Sequence, residues 1–278
     1  GDSDKRMPVC TATGQYLMAG TSFAAPWIAR KMAYLMQVMG FTREVAKALI
    51  IDSAAGWDYR ASPRRGYGQV PVRIEDVVQS CDDEIKFTLT GTSEAYATYN
   101  YGIPVPIAKK KHPYIARVTL CYFPQCDRRQ GVDYTSAEMD LHFGRINDKG
   151  TIQPLDNNRQ GEEGFMTTEE VARKNYRKWD NVKHIGEEPK ENGRERKAYS
   201  TGMWGIKIRA TRRGDGPDRK ARALRFGIVV TLREINGVNR IDDFIQRCSL
   251  RGWIVNRIDV RTSVDIYNTA EVDIDFDE

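Results

Sequence analysis

The first part of the chain has the apolar spacing of helices. Apolar side chains recur at intervals of three and four residues, Gly40 ends the first such run, and Thr42 is a typical N-cap for the second. In chain order, we predict a loop over 1–19 with a strand end at 16–19, helices over 23–39 and 42–56, and a short helix over 74–79.

After about residue 84 the spacing changes to the alternation of strands. Every second residue is apolar in six short runs, and Gly, Pro and Asn lie between the runs. Such runs are typical of an antiparallel β-sandwich or jelly roll. The predicted strands cover 85–90, 115–122, 137–143, 204–209, 224–232 and 272–276, with a short helix at 242–246.

A long charged segment interrupts these strands over about 156–200. It has few large apolar residues, so burial of its side chains would not offset the entropy lost on ordering it. We predict a mobile, solvated insertion with a helix over 168–178, and a basic binding loop is the alternative. The predicted domains are 1–83, which is helical, and 84–278, a sandwich that carries this insertion.

The composition fits a soluble protein with a packed core. The 278 residues are 40% hydrophobic, and 43 basic residues against 38 acidic residues give a net charge of +5. The two signs are well mixed along the chain, which predicts a solvated surface and argues against a nucleic-acid partner. No apolar run is long enough to span a bilayer and no charged-then-apolar leader is visible, so we expect no membrane association.

Cysteines and histidines are too scattered to predict a metal site. Cys121 and Cys126 have four residues between them, but no second pair has the spacing of metal ligands, so we expect neither a metal nor a cofactor. Five cysteines are an odd number. Free thiols in a reducing cytoplasm are the simpler interpretation, and secretion stays open.

One short stretch places a hydroxyl at the start of the first helix. Thr21 and Ser22 are residues that favour helix N-termini, and Gly20 before them allows unusual backbone angles or a close approach. Pro26 is expected in the first turn, where the missing N–H costs little. The positive end of the helix dipole would then lie beside the Ser22 oxygen.

This stretch, GTSFAAP over 20–26, resembles the serine box of the subtilisin-like serine peptidases, the subtilases. The helices that follow, with a glycine-rich turn at 66–68, are similar in order to the end of a subtilase catalytic domain, and the resemblance covers residues 1 to about 80. It implies that Ser22 is the nucleophile that forms an acyl-enzyme with a polypeptide substrate. It also implies that the backbone N–H of Ser22 helps to hold the oxyanion.

The implied fold is α+β. The C-terminal helices of a subtilisin-like α/β catalytic domain would be followed by an antiparallel, jelly-roll-like β-sandwich. Many subtilases carry a sandwich at this place, where it can stabilise the peptidase, bind substrate or dock a protein partner.

The resemblance also implies that parts of the site lie elsewhere. In subtilases the aspartate and histidine of the triad precede the serine, as does the asparagine of the oxyanion hole. Residues 1–21 contain Asp2 and Asp4 but no histidine. We therefore expect a missing N-terminal part of the catalytic domain as a partner, and no activity from this chain alone. The histidines farther along are expected to be ordinary surface or packed side chains: His112, His142 and His184.

Two other functions stay open. A pseudoenzyme could keep the subtilase scaffold without the triad, although an unaltered box around Ser22 argues against this. A sandwich-type interaction or adaptor module is the other alternative, with residues 1–80 serving only for packing. The presence of a histidine and an aspartate that can activate Ser22 distinguishes an enzyme from both.

Overall fold

The chain folds into an α+β structure with mostly antiparallel sheets and few helices. A computed structural model describes residues 6–57, 66–93, 98–126, 135, 137–155, 180–190, 193–212, 223–259 and 264–268. The helices are α1 (Thr21–Gln37), α2 (Arg43–Ala55), α3 (Glu75–Val78) and α4 (Ile241–Leu250). None of the helices in these ranges is both long enough and apolar enough to span a bilayer.

The first two strands form a short N-terminal hairpin before α1, and the other strands follow α3, with α4 before the last two of them. The strands are β1 (Met7–Thr11), β2 (Gly14–Met18), β3 (Glu84–Ser93), β4 (Thr98–Ile103), β5 (Lys111–His112), β6 (Tyr114–Tyr122), β7 (Ala137–Ile146), β8 (Ile152–Pro154), β9 (Val182–Gly186), β10 (Arg196–Lys197), β11 (Trp204–Arg212), β12 (Leu224–Glu234), β13 (Val255–Asp259) and β14 (Val264–Asn268).

Two sheets pack on each other and form what is called here the two-sheet unit. The larger sheet has the order β13-β14-β3-β12-β6-β9, and the smaller has the order β4-β11-β7-β8. Neighbouring strands are antiparallel except β14 and β3, which are parallel. Alternate residues of both sheets meet in one hydrophobic core, because successive side chains of a strand point to opposite faces. The largest buried side chains of this core include Trp204, Tyr114, Tyr122, Phe87, Phe143 and Phe226.

Helix α2 covers the other face of the larger sheet. Val45 and Leu49 of α2 form a second hydrophobic core with Cys121 and Val229, which point away from the first core. The helix lies so close that a Cβ atom on Gly227 of β12 would approach the backbone nitrogen of Val45 to 2.5 Å. A glycine in the middle of β12 therefore makes room for the start of α2.

A buried ion pair joins the end of α2 to the same sheet. Arg117 of β6 donates two hydrogen bonds to Asp52, from Nε to Oδ1 at 2.9 Å and from Nη2 to Oδ2 at 3.1 Å. Thr231 of β12 donates to Oδ2 at 3.0 Å, and the Trp57 ring covers the guanidinium at 4.5 Å. Burial by itself would raise the pKa of Asp52, but Arg117 and Lys86 hold it below its usual value.

The structure confirms the main elements predicted from spacing. Thr42 caps α2 by accepting a hydrogen bond from the N–H of Val45 at 3.3 Å, as expected of an N-cap. The longest strands, β3, β6, β7, β11 and β12, each contain the run predicted for them. The short helix predicted at 242–246 is part of α4, which is longer.

The N-terminal region differs from its prediction as a loop, except at the strand end predicted over 16–19, most of which lies in β2. Residues 7–18 form an antiparallel hairpin, in which Met7 pairs with Met18 and Thr11 with Gly14. All the residues of β2 are exposed. The alternation of buried and exposed residues that identifies a strand is therefore absent here, which is why the spacing predicts no hairpin.

The charged segment also differs from its prediction, over 180–200. β9 forms the edge of the larger sheet beside β6, and β10 pairs with β5. Lys183 of β9 is buried and forms a 2.8 Å ion pair with Glu138 of the smaller sheet. At least one charge of the segment is therefore paired inside the protein. The predicted mobility of 156–179 and the helix over 168–178 lie outside the described residues, as does the strand predicted at 272–276.

Replacing Asp52 by Ala should destabilise the protein by about 3–5 kcal/mol. The substitution leaves the Arg117 guanidinium buried without its carboxylate, which costs more than the lost attraction. Urea unfolding followed by tryptophan fluorescence measures the change in the free energy of unfolding.

Asp243→Ala is the matched control. Asp243 pairs with Arg247 in the exposed part of α4 at 2.7 Å, and its loss should cost less than about 1 kcal/mol. Equal costs for the two substitutions would show that the Asp52 pair does not hold α2 on the sheet.

A second prediction concerns His112, which is buried in the two-sheet unit with its ring edge-on to Trp204. The pKa of His112 is lowered to about 4, mainly by burial, with smaller contributions from Arg145, Arg196 and Arg247 and an opposing effect of the Pro106 carbonyl. The unfolded chain takes up this proton near pH 6.5 and the folded protein only near pH 4. Stability should therefore be complete above pH 6.5 and fall as the pH drops towards 4, by up to roughly 3 kcal/mol.

The free energy of unfolding, measured at a series of pH values for the wild type and two variants, checks this prediction. His112→Gln should remove most of the decline between these pH values, whereas His142→Gln, at a half-buried position of β7, should keep it. A decline that is unchanged in His112→Gln would assign the effect to other groups.

Candidate functional site

Ser22 lies in the first turn of α1. The helix has Gly20 as its N-cap, so Ser22 is its second residue, and its side chain is exposed. The N–H groups of Phe23 and Ala24 donate to the Gly20 carbonyl at 3.1 and 3.2 Å. The first N–H groups of a helix have no partner within it, so the backbone at Ser22 presents free donors and the positive end of the dipole.

Two neighbours of Ser22 have other roles than the sequence predicts. Gly20 has a φ of 162°, which is extended backbone that any residue adopts, so its position does not need a glycine for its angles. Pro26 lies inside α1 as its sixth residue, one turn beyond the expected place. Its missing N–H leaves the Ser22 carbonyl without the usual helical donor.

The side of α1 that faces away from Ser22 is packed. Leu35 is fully buried, and Ile28, Met32 and Met36 lie against the second core. Lys31 is also buried, and its Nζ donates to the carbonyl of Val72 at 2.6 Å. Burial lowers the pKa of Lys31, and Glu75 and Asp76 partly oppose this. Nine residues separate Lys31 from Ser22, which puts them on opposite faces of a helix with 3.6 residues per turn.

The side of α1 that carries Ser22 is exposed in the part of the chain that the structure describes. Ala25, Ala29 and Ala33 follow Ser22 along this face at helical spacing, and all are exposed. The nearby hairpin strand β2 exposes large apolar side chains, with 51% of Tyr16 and 63% of Leu17 accessible.

The histidines do not reach Ser22 in the part of the chain that the structure describes. His112 lies in the core of the two-sheet unit, and His142 is half-buried on β7. His184 on β9 shares a 2.8 Å hydrogen bond between its Nδ1 and Thr119 Oγ1, with the Tyr67 ring 6.0 Å away. Each has a structural environment of its own. Asp2 and Asp4 lie outside the described residues.

Among the described residues, no group of three or more His, Cys, Asp and Glu side chains could hold a metal ion. The cysteines are all free thiols. Cys121 and Cys248 are buried, and burial raises the pKa of each thiol to about 12. Such groups stay protonated and do not act as nucleophiles at neutral pH.

The sequence analysis missed the anchor of the serine helix. Lys31 is a buried charged residue among the apolar positions of the packed face, such as Ile28 and Leu35, whereas its charged neighbour Arg30 is exposed. A single lysine within an apolar stripe indicates a buried amine with a fixed acceptor, but its acceptor, the Val72 carbonyl, lies 41 residues away. Only the tertiary structure identifies it.

Comparison with known families gives a match for the first part of the chain. No curated protein sequence matches the chain. A sequence model of the Subtilase family (Peptidase_S8) matches residues 5–74, about a quarter of the chain, which contain the β1–β2 hairpin, Ser22 and both long N-terminal helices. The match relates this part of the chain to the subtilisin-like peptidases.

Proposed function

We propose that the chain is the C-terminal portion of a subtilisin-like serine endopeptidase and that Ser22 is its nucleophile. The observation that carries the proposal is the position of Ser22, exposed in the first turn of α1 within the segment that the Subtilase family model matches. The GTSFAAP stretch is the serine box in this proposal.

The proposed chemistry uses the start of the helix. The Ser22 oxygen attacks the carbonyl carbon of a peptide bond while a histidine takes its proton, and an acyl-enzyme forms as the amine leaves. Negative charge develops on the carbonyl oxygen. The Ser22 N–H and the positive end of α1 stabilise this charge, because they are oriented before the reaction begins.

The histidine, the aspartate and the oxyanion asparagine come from another part of the catalytic domain in this proposal. The uncovered face of α1 supports such a partner, since Ala25, Ala29 and Ala33 let a flat layer approach the helix closely. The strand β2, which precedes α1 in the chain, also exposes apolar residues that a partner could cover. We propose that the sheet of the catalytic domain covers this face and brings the histidine to Ser22.

The two-sheet unit acts as a sandwich-type module in this proposal. It has a core of its own, and it holds α2, and through α2 the serine helix, by the second core and the Asp52–Arg117 pair. A pseudoenzyme or an adaptor on the same scaffold is the alternative, and activity measurements separate them. Exposed free thiols at Cys10, Cys81 and Cys126 support a cytoplasmic location.

Coexpression with the rest of the catalytic domain tests the proposal. The complete protein should react with a fluorophosphonate probe at Ser22, and Ser22→Ala should abolish labelling and reduce peptide hydrolysis by roughly a million-fold, the loss known for subtilisin without its serine. Mass spectrometry of the labelled peptide identifies the residue.

Two further measurements complete this test. The chain alone should give no stoichiometric labelling, because its serine has no base to take the proton. Ser249→Ala, an exposed serine on α4, should leave labelling of the complete protein unchanged. A complete protein that binds partners but neither labels nor hydrolyses peptides would favour the pseudoenzyme or adaptor.

A further inference from the structure

The turn before β5 has backbone φ angles that lysine residues disfavour. Lys109 and Lys110 have φ angles of 47° and 62°, and they are the only residues other than glycine with positive φ in the described ranges. The N–H of Ala108 donates to the Lys111 carbonyl at 2.9 Å, and the reverse bond is 2.8 Å. This is a two-residue turn of the kind that strongly prefers Asn-Gly.

Two lysines at these positions cost stability. Left-handed backbone angles are unfavourable for residues with a Cβ atom, and strain of this kind is concentrated at sites of function. Both side chains are exposed, and neither has an acidic partner within the described residues. The backbone strain of this turn therefore keeps two ammonium groups in water, without an acidic partner among the described residues. Packing does not explain why lysines occupy these two positions.

More cations surround this turn. Lys111 pairs with Lys197 across β5 and β10, and Arg145 donates to the Lys197 carbonyl at 2.7 Å. Glu195 is the acidic residue beside Lys111, at 3.3 Å. We call this region the basic turn surface, and its cationic residues are Lys109, Lys110, Lys111, Arg145 and Lys197.

The surroundings favour a polypeptide over other anionic partners. Single-stranded nucleic acids are held by bases that stack on exposed aromatic rings. The nearby ring, Tyr199, is half-buried beneath the Arg145 guanidinium at 5.3 Å. Membrane-surface binding adds large apolar side chains to the basic ones, and none of the described large apolar side chains that are exposed belongs to this surface. Carboxylates need only accessible cations and backbone donors.

We propose that the basic turn surface binds acidic segments of polypeptides and recruits them to the peptidase. α2 runs along β12 from Gly227 to Thr231, so its C-terminal end points towards the start of β6, the strand that follows this turn in the chain. α1 packs on α2 and is joined to its other end, which directs Ser22 towards the same end of the sheet. The recruitment step rests on the proposed function, whereas the binding step does not.

Binding is tested on the whole chain with a fluorescent peptide of alternating Asp and Gly, by anisotropy in low and high salt. The double variant Lys109→Asn with Lys110→Gly should bind about tenfold more weakly, and wild-type binding should weaken as salt is added. The same variant should melt at a higher temperature than the wild type, because Asn-Gly suits the turn. Weaker binding in a more stable protein cannot come from unfolding.

The control removes the same charge elsewhere. Lys207→Gln with Arg209→Gln, on the exposed face of β11, should leave peptide binding within about twofold. Equal loss in both double variants, or no loss in the turn variant, would overturn the proposal. Tighter binding of oligothymidylate of the same charge, or of phosphatidylserine vesicles, would assign the surface to nucleic acid or membrane. Absence of peptidase activity would leave the binding result unaffected.

Discussion

The buried ion pair of Asp52 and Arg117 joins helix α2 to the larger sheet of the two-sheet unit. A guanidinium on the outer face of a sheet is costly to remove from water, and the cost is offset only when every donor meets a well-placed acceptor. Asp52 accepts from Arg117 through both oxygens, and Thr231 satisfies the remaining capacity of one of them. Either group would be destabilising if it were buried without the other. The position of α2 that pairs Asp52 with Arg117 is therefore favoured over positions that separate them.

The position of the serine helix depends on this fit. α1 contributes Leu35 to the core beneath α2 and is tied to the backbone of Val72 by Lys31. These contacts all lie on one side of α1, and Ser22 lies on the other. The packed side determines the orientation of the helix, and the side with Ser22 stays available for the partner that we propose.

Charge has different roles inside and outside the protein. Inside, Lys183 pairs with Glu138 between the sheets, and Asp52 pairs with Arg117 beneath α2. Outside, Lys109 and Lys110 stay unpaired within the described residues, on a turn that disfavours them. A small net charge of +5 thus conceals a local excess of positive charge, which composition alone does not show.

Local spacing in the sequence was enough to predict the long strands β3, β6 and β12 and the helix α2 with its Thr42 cap, whereas the role of Ser22 came only from a resemblance. Each of these elements is determined by neighbours within a few residues, through side-chain alternation, helical periodicity or capping. The family match over residues 5–74 agrees with the resemblance of the first part of the chain to the subtilases.

The tertiary structure decided what depends on distant residues. β9 is too short and too charged to be recognised as a strand, and it is stabilised by pairing with β6 and by Glu138. Asp52 meets Arg117 across 65 residues, and Lys31 meets Val72 across 41. No local pattern encodes such contacts, because burial of a charge is favourable only when the whole fold supplies its partner.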